Sequence, residues 1–480
     1  MCNGLDGASL IAEDGEIYSV VHAECHPGAL QLSRLKQDKG SGRLQASSTR
    51  QVDLAAVGGA NLFCAAERSP WNTHLAAEEF EADASKLQPD GTVSDNHQYY
   101  NSMARYWGEL AGQSPYQLGW IDELEIAGGE GRLTKRYALG RFSHEQARVM
   151  PDERTVYLTD DGTNGAFFVF VSDTARDLSA GHLYASRWQH SEEGGGFELE
   201  WISLGHSKES DIAEAVGKPL SFDAMFEAQD GQECADGFTR IRTTHESRCI
   251  RIRDGMQAAA SRLESRRVAG LLGATTELRK WEGMAVDPEG RRLFAAVSAV
   301  TLGMVKGHPE WDLPSADHIR MEENACGMVM SMPVDDGPVV DTQGKRIDSD
   351  WIVSSAASFV EGAPVLAADG AVSACVLDAI ANPDNLAFIP EAGLLLIAED
   401  TRGHENNVLW AMDVQTRALT RLLVAPVHAE VAGINWFPDI GGWGYLTVTI
   451  QFPDGDWLRS KDIDVPPMST SGVIGPFPGR

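Results

Sequence analysis

Several features that would assign a class at once are missing from this chain. No run approaches the eighteen or so apolar residues that a membrane-crossing helix needs. Basic charge is scarce: 40 Lys and Arg stand against 70 Asp and Glu, a formal net charge of −30. Phosphate backbones and anionic lipid surfaces are held by cationic faces, so neither nucleic acid nor membrane is expected as a partner. No Cys-x-x-Cys occurs among the seven cysteines (2, 25, 64, 234, 249, 326, 375). Their odd number and wide scatter exclude a zinc framework and a small disulfide scaffold. Cys234 and Cys249 can pair across a loop, although nothing in the sequence requires it. There is no G-x-S-x-G elbow and no Walker-type phosphate loop. The opening MCNGLDGASLIAEDGEIYSV lacks the basic, apolar, small-residue order of a secretory signal. It begins within strand-like material, which leaves room for a preceding segment.

What is present is a large, acidic, core-forming chain: 480 residues, 43% of them hydrophobic. The acidity serves solubility, and it also supplies carboxylates for hard cations such as Ca²⁺. One layout recurs. LGRFSHEQARVMPDERTVYLTDDGTNGAFFVFV (139–171) has an acid, Glu145, opening a strand, a Pro-Asp turn, a second strand, and the pair Asp160-Asp161 closing it. The same order returns in RKWEGMAVDPEGRRLFAAVSAV (279–300) with Glu282, and in NPDNLAFIPEAGLLLIAEDTRG (382–403) with Asp384 and Asn385, then Glu399 and Asp400. EVAGINWFPDIGGWGYLTVTIQFPD (430–454) repeats the strand, turn, strand rhythm. Widely spaced strand-pair repeats predict an all-β fold, a β-propeller of about six blades with inserted helical and loop segments. We expect one propeller domain over 1–480, with 207–270, rich in Glu, Ala, Arg and Ser, as a helix-containing insertion.

Innermost propeller strands line a central channel, so equivalent positions point at one place. Glu145, Glu282 and Asp384 each stand at the start of a repeat's first strand, and three carboxylates are therefore expected at one mouth of the channel. Such a gathering is unfavourable unless cations or protons neutralise it, and oxygen-rich clusters of this kind hold Ca²⁺. Upstream, ANLFCAAERSPWNTHLAAEEFEADAS (60–85) delivers Cys64 on a strand, then a Pro70-Trp71-Asn72-Thr73 loop, then Glu78 and Glu79. His144 neighbours Glu145 but points to the opposite face of the strand, which makes it a structural histidine.

These blocks, in this order, resemble the PhoX-type alkaline phosphatases, β-propeller enzymes dependent on calcium and iron. The resemblance rests on Cys64 with Pro70-Trp71-x-Thr73 and Glu78-Glu79, on GRFSHE with its Asp-Asp pair, on WEGMAVDP, on PDNLAF followed by AED, and on the closing Phe-Pro-Asp. It implies a site in which Cys64 is a thiolate ligand to Fe³⁺. Glu145, Glu282 and Asp384 are implied as bridging or terminal ligands, with Glu79 and Asp161 completing the Ca²⁺ side. The implied substrate is a small phosphoester, the implied compartment periplasmic or extracellular, and the expected state monomeric. One departure stands out. Where the family carries Arg-Pro-Glu, with the arginine on the phosphate, this chain has Lys280-Trp281-Glu282. The charge is kept and the bidentate fork is lost, with Arg279 next door as a substitute. Two other readings fit the residues. One is a calcium-dependent hydrolase of the lactonase or phosphotriesterase kind, which Asn385 suits and a thiolate does not. The other is a non-catalytic binding propeller.

Overall fold

Strand-and-turn chemistry sets the local structure. In the computed structural model, Leu5–Glu13 and Glu16–Ala23 form a tight hairpin closed by Asp14-Gly15, both with positive φ (50° and 77°). That is the geometry which matches the twist of paired strands. The structure describes residues 4–94, 98–191, 195–231, 233–244, 246–313, 316–367, 370, 372–453 and 468–479. Cys2 and the Asp454 of the closing Phe-Pro-Asp repeat lie outside them.

Six antiparallel blades follow one another along the chain. Their innermost strands are Leu5–Glu13, Phe63–Arg68, His144–Val149, Trp281–Asp287, Pro383–Ile389 and Glu430–Ile440. Each inner strand contacts the next, and the sixth contacts the first, which closes a six-bladed ring. The predicted β-propeller is thus the observed architecture. Closure joins distant ends of the chain: Asn435 Nδ2 donates to Ala8 O (3.0 Å) and Ala66 O (3.2 Å), and Gln37 Nε2 donates to Ile440 O (2.7 Å). Between neighbouring blades lie apolar layers, such as Phe294, Phe388, Leu395 and Trp410 between the fourth and fifth. Burial of these faces is the main favourable term holding one blade on another. The third and fourth blades also share a seam: Gly196–Lys208 pairs with Ser355–Glu361 and merges them into one nine-stranded sheet.

The segment following that seam strand contains helices Glu209–Val216, Phe222–Met225, Gln257–Leu263 and Ser265–Leu271 around a three-stranded sheet. The two helix candidates of the sequence, SKESDIAEAVGKPLSFDAMFEAQ (207–229) and MQAAASRLESRRVAGLLG (256–273), are longer than the helices formed. The first stops where Gly217 and Pro219 interrupt it, and the second breaks at Glu264 (φ −136°, ψ 48°). Cys234 and Cys249 are disulfide-bonded across this sheet, and Cys326 and Cys375 form a second bridge. Three buried arginines tie the segment to the propeller. Arg262 caps the carbonyls of Ala138 (2.7 Å) and Gly205 (2.8 Å). Arg266 clamps Glu81 (2.5 Å) and Asp160, and Arg267 pairs with Asp83 (2.9 Å), Glu246 (2.7 Å) and Glu264 (2.6 Å).

Removing one side of such a network leaves unpaired buried charge. Arg266→Met, which strands both Glu81 and Asp160, is expected to lower the unfolding free energy by about 3–5 kcal/mol. The effect will be read as a lower urea midpoint.

Candidate metal centre

The six inner strands enter the ring in the same register. The second residue of the first five is Asp6, Cys64, Glu145, Glu282 and Asp384, and the first residue of the sixth is Glu430. Pairing to the second strand slips just beyond this point in every blade, between Leu5/Ala8, Phe63/Ala66, Leu158/Asp160, Trp281/Met284, Pro383/Leu386 and Ala432/Asn435. A bulge of this kind bends a strand and re-aims its side chains; here it turns six of them to one mouth of the channel. Crowding dictates the glycine after the acid in two blades. A Cβ on Gly7 would stand 2.7 Å from Cys64 O, and one on Gly283 would stand 2.8 Å from Asp384 O.

The second strands contribute in pairs with divided roles. Glu78 accepts hydrogen bonds from the Asn61 (2.9 Å), Gly119 (2.9 Å) and Trp120 (3.0 Å) amides and pairs with buried Lys135 (3.1 Å). Asp160 accepts from Ala166 N (2.9 Å) and Arg266. Glu399 accepts from Ala381 N (2.9 Å), Val408 N (2.9 Å) and Trp410 Nε1 (2.7 Å). The first acid of each pair thus fastens backbone. The second, Glu79, Asp161 or Asp400, stands one residue further, where it interacts with the acids of the inner strands.

Two overlapping groups of donor atoms result. Cys64, Glu79 and Glu145 lie within 4.8 Å of one another, as do Glu145, Glu282 and Asp384. The Cys64 thiol is 3.0 Å from Glu145 Oε2. Asn385 Nδ2 donates to Asp384 Oδ1 (3.2 Å), while its Oδ1 accepts from Gly433 N (2.7 Å). Lys280 reaches in from the rim, its Nζ 2.9 Å from Glu282 Oε1 and 3.5 Å from Asp161 Oδ2. Arg279 stays outside the ion pairs, its guanidinium donating to the hydroxyls of Thr163 (2.8 Å) and Thr301 (3.1 Å). All six predicted ligands and Lys280 therefore meet in one place. The prediction omitted four further acids of the same cluster: Asp6, Glu24, Asp400 and Glu430. Two carried a signal. Leu5-Asp6-Gly7 has the apolar, acid, glycine order of Trp281-Glu282-Gly283, and Glu399-Asp400 matches the other acidic pairs. His144 is buried on the Phe142 ring, its Nε2 donates to Gly140 O (2.9 Å), and burial lowers its pKa to about 3, as suits a structural group.

Nine carboxylates, those of Asp6, Glu24, Glu79, Glu145, Asp161, Glu282, Asp384, Asp400 and Glu430, repel one another here. Lys280 is the cation that pairs with them. Burial, then neighbouring Glu282 and Asp384, pushes Glu145 far above the ordinary carboxylate range. Burial, then Asp400, brings Asp384 to about 7, and burial brings Glu24 to about 7. Burial and the Glu145 charge likewise raise the Cys64 thiol. Asp6 Oδ1 and Asp161 Oδ1 are buried without a hydrogen-bond partner. Uncompensated charge, orphaned oxygens and a thiol among carboxylates fit bound cations: oxygen donors for Ca²⁺ and thiolate for iron.

Protonation is the other way to relieve the cluster, and it sets a pH dependence. Glu24 and Asp384 ionise near their ordinary values of 4.5 and 3.8 when unfolded, but at about 7 when folded. Their stabilisation is complete below the unfolded values and lost as pH rises through the folded ones. In chelator, the Tm is therefore expected to fall between about pH 5 and about pH 8. Calorimetry at constant ionic strength should show a shallower fall for Asp384→Asn.

Among solved structures, the chain superposes on Pseudomonas fluorescens PhoX in complex with vanadate, a transition state analogue. The TM-score is 0.66 at 19% identity, covering 99% of this chain and 88% of that one. That likeness establishes the shared fold. A putative 6-phosphogluconolactonase from Bacteroides uniformis reaches only 0.31 at 12% identity, covering 87% and 83%. This is too distant to bear on function. No curated protein matches by sequence. The family model for the alkaline phosphatase PhoX, in contrast, matches residues 37–454. On that match over most of its length, the chain belongs to the PhoX alkaline phosphatase family.

Proposed function

We propose that this protein is a metal-dependent phosphatase that hydrolyses phosphate monoesters at an iron–calcium cluster in the propeller channel. The observation that carries the reading is the convergence of one thiol and many buried carboxylates on a single point, in a chain of this family. Cys64 would hold Fe³⁺, Glu145, Glu282 and Asp384 would be further carboxylate ligands of the cluster, and Glu79 and Asp161 would complete the Ca²⁺ side. When bound, these cations supply Lewis acidity toward phosphoryl oxygens and neutralise charge developing on the leaving oxygen. The chain supplies the rest. Its bulged inner strands preorganise the donors, so little reorganisation accompanies the reaction. Lys280, half-buried at the rim with Nζ shared between Asp161 and Glu282, offers an ammonium to the phosphate where relatives carry an arginine. Arg279, outside the ion pairs, is the adjoining guanidinium. The close approach of the Cys64 thiol to Glu145 favours this reading over a calcium-only hydrolase.

The same reading covers the setting. We take 1–480 as one propeller domain and 207–270 as an insertion between the third and fourth blades. All six blades come from one chain, so a monomer has a complete centre. The formal charge of −30 disfavours polyanionic substrates and leaves small phosphoesters. The Cys234–Cys249 and Cys326–Cys375 disulfides are consistent with export to an oxidising compartment. Among the described residues, no helix is long and apolar enough to cross a membrane.

Elemental analysis with an aryl phosphate assay tests the centre. Iron and calcium are expected together in the purified protein. Cys64→Ala should lose the iron and more than about 100-fold in kcat. Calcium without iron in the unaltered protein would leave a calcium hydrolase, and neither metal a binding propeller. Lys280→Ala is expected to lower kcat/KM by about ten- to a hundredfold, the range of a charge-assisted hydrogen bond. Lys280→Arg should retain most of it. An unchanged kcat/KM in Lys280→Ala would remove Lys280 from the phosphate site.

A further inference from the structure

A second group of metal-binding side chains lies on the third blade, apart from the channel. Its strands Phe168–Thr174, Asp177–His190 and Gly196–Lys208 are adjacent, and they present Asp173, His182 and His206 on one patch. The register accounts for the meeting. His182 stands directly opposite His206 on one side, and opposite Val171, two residues before Asp173, on the other. The pairing slips between Ser172 and Thr174, and Asp173, at that irregularity, stands beside the imidazoles. One ligand atom from each of the three lies within 4.8 Å of the others. The two rings meet edge-on with centroids 4.9 Å apart, and His206 Nε2 is 2.8 Å from Asp173 Oδ2.

We propose that Asp173, His182 and His206 form a surface site for a divalent transition metal, zinc in the first instance. Two imidazole nitrogens and one carboxylate oxygen are a donor set that Zn²⁺ accepts, with water in the fourth position. Imidazole also disfavours Ca²⁺ and Mg²⁺, which choose all-oxygen shells, so the patch selects a different ion from the channel. His206 donates its Nε2 proton to Asp173 while the metal is absent; binding needs only that this proton move to Nδ1, a tautomer shift that frees Nε2. His182 has no hydrogen-bond partner among the described residues and needs no such exchange. The aspartate contributes one negative charge, so the patch holds the cation without the mutual repulsion of the channel. A metal here would tie three outer strands together.

The test is a Zn²⁺ titration of the purified metal-loaded protein against a competing chromophoric chelator, beside His182→Ala and His206→Ala. The unaltered protein is expected to bind one zinc equivalent more than either variant, and Asp173→Asn to bind that equivalent at least about tenfold more weakly. Cu²⁺ substituted at the site should give an electron paramagnetic resonance spectrum with two coupled nitrogens, reduced to one in either histidine variant. Unchanged far-ultraviolet circular dichroism will establish that the variants fold. Equal zinc stoichiometry and affinity in all four proteins would overturn the proposal, as would a copper signal without nitrogen coupling. The channel cluster contains no histidine among its donors, so these readings stand whether or not it holds iron and calcium.

Discussion

Mutual repulsion among buried acids is the constraint around which this molecule is arranged. Nine carboxylates and a thiol are held at one mouth of a narrow channel, and their proton affinities rise because burial and like charge both oppose ionisation. A flexible assembly would relax by turning these side chains outward to water. The ring prevents this, since each acid sits on an innermost strand, or one residue past the strand beside it. Apolar blade faces close the ring behind them. The favourable burial of those faces therefore offsets an electrostatic arrangement that would be unstable alone, and bound cations would reverse its sign.

The division of labour within the acidic pairs follows from this. Glu78, Asp160 and Glu399 are as buried as the acids of the centre, yet each is surrounded by donors. Two are also paired with a buried cation, Lys135 or Arg266. Those groups are satisfied and serve as fasteners. Their neighbours Glu79, Asp161 and Asp400 face the other acids. One residue along a strand is enough to exchange a donor-satisfied carboxylate for one that faces the acidic cluster, because side chains alternate between faces. The helical segment enters the same arrangement through Arg266, which holds Glu81 and Asp160 together. The loops carrying Glu79 and Asp161 are thereby positioned from a part of the chain that contributes no donor itself.

A lysine at position 280 gives the entrance a different character from the arginine that the family resemblance leads one to expect. A guanidinium grips two oxygens in a plane, whereas an ammonium is a compact point charge that adapts to several. Lys280 is itself committed to Glu282 and Asp161, while Arg279 is held by two threonine hydroxyls. The entrance thus carries two cations of different geometry on adjacent residues.

Much of this was legible in the chain alone. Strand, turn and acid recur in a common order, and that order specified the propeller and the inner-strand register of Glu145, Glu282 and Asp384, whereas Glu79 and Asp161 were singled out within their pairs only by the family resemblance. Local chemistry determines such features: alternation sets faces, Asp-Gly and Pro-containing turns set strand ends, and an acid beside a turn keeps its place in each repeat. Asp6 had the same local signature but stood before the stretch in which the repeat was clearest. Glu24 and Glu430 carried none, since a single acid flanking a turn is common in any β protein. The helices in 207–270 are likewise shorter than the sequence pattern suggests, since the segment from Phe226 pairs as a strand with Ser247–Ile252 and the second candidate breaks at Glu264. Nor does a repeat reveal that Asp173, His182 and His206 share a patch, for that depends on how three strands are slid against one another. The sequence by itself determined which residues stand at equivalent positions of successive strand pairs, because that is a matter of local periodicity. Only the tertiary structure decided that those positions converge, because convergence requires the sixth blade to close upon the first, some 430 residues away along the chain.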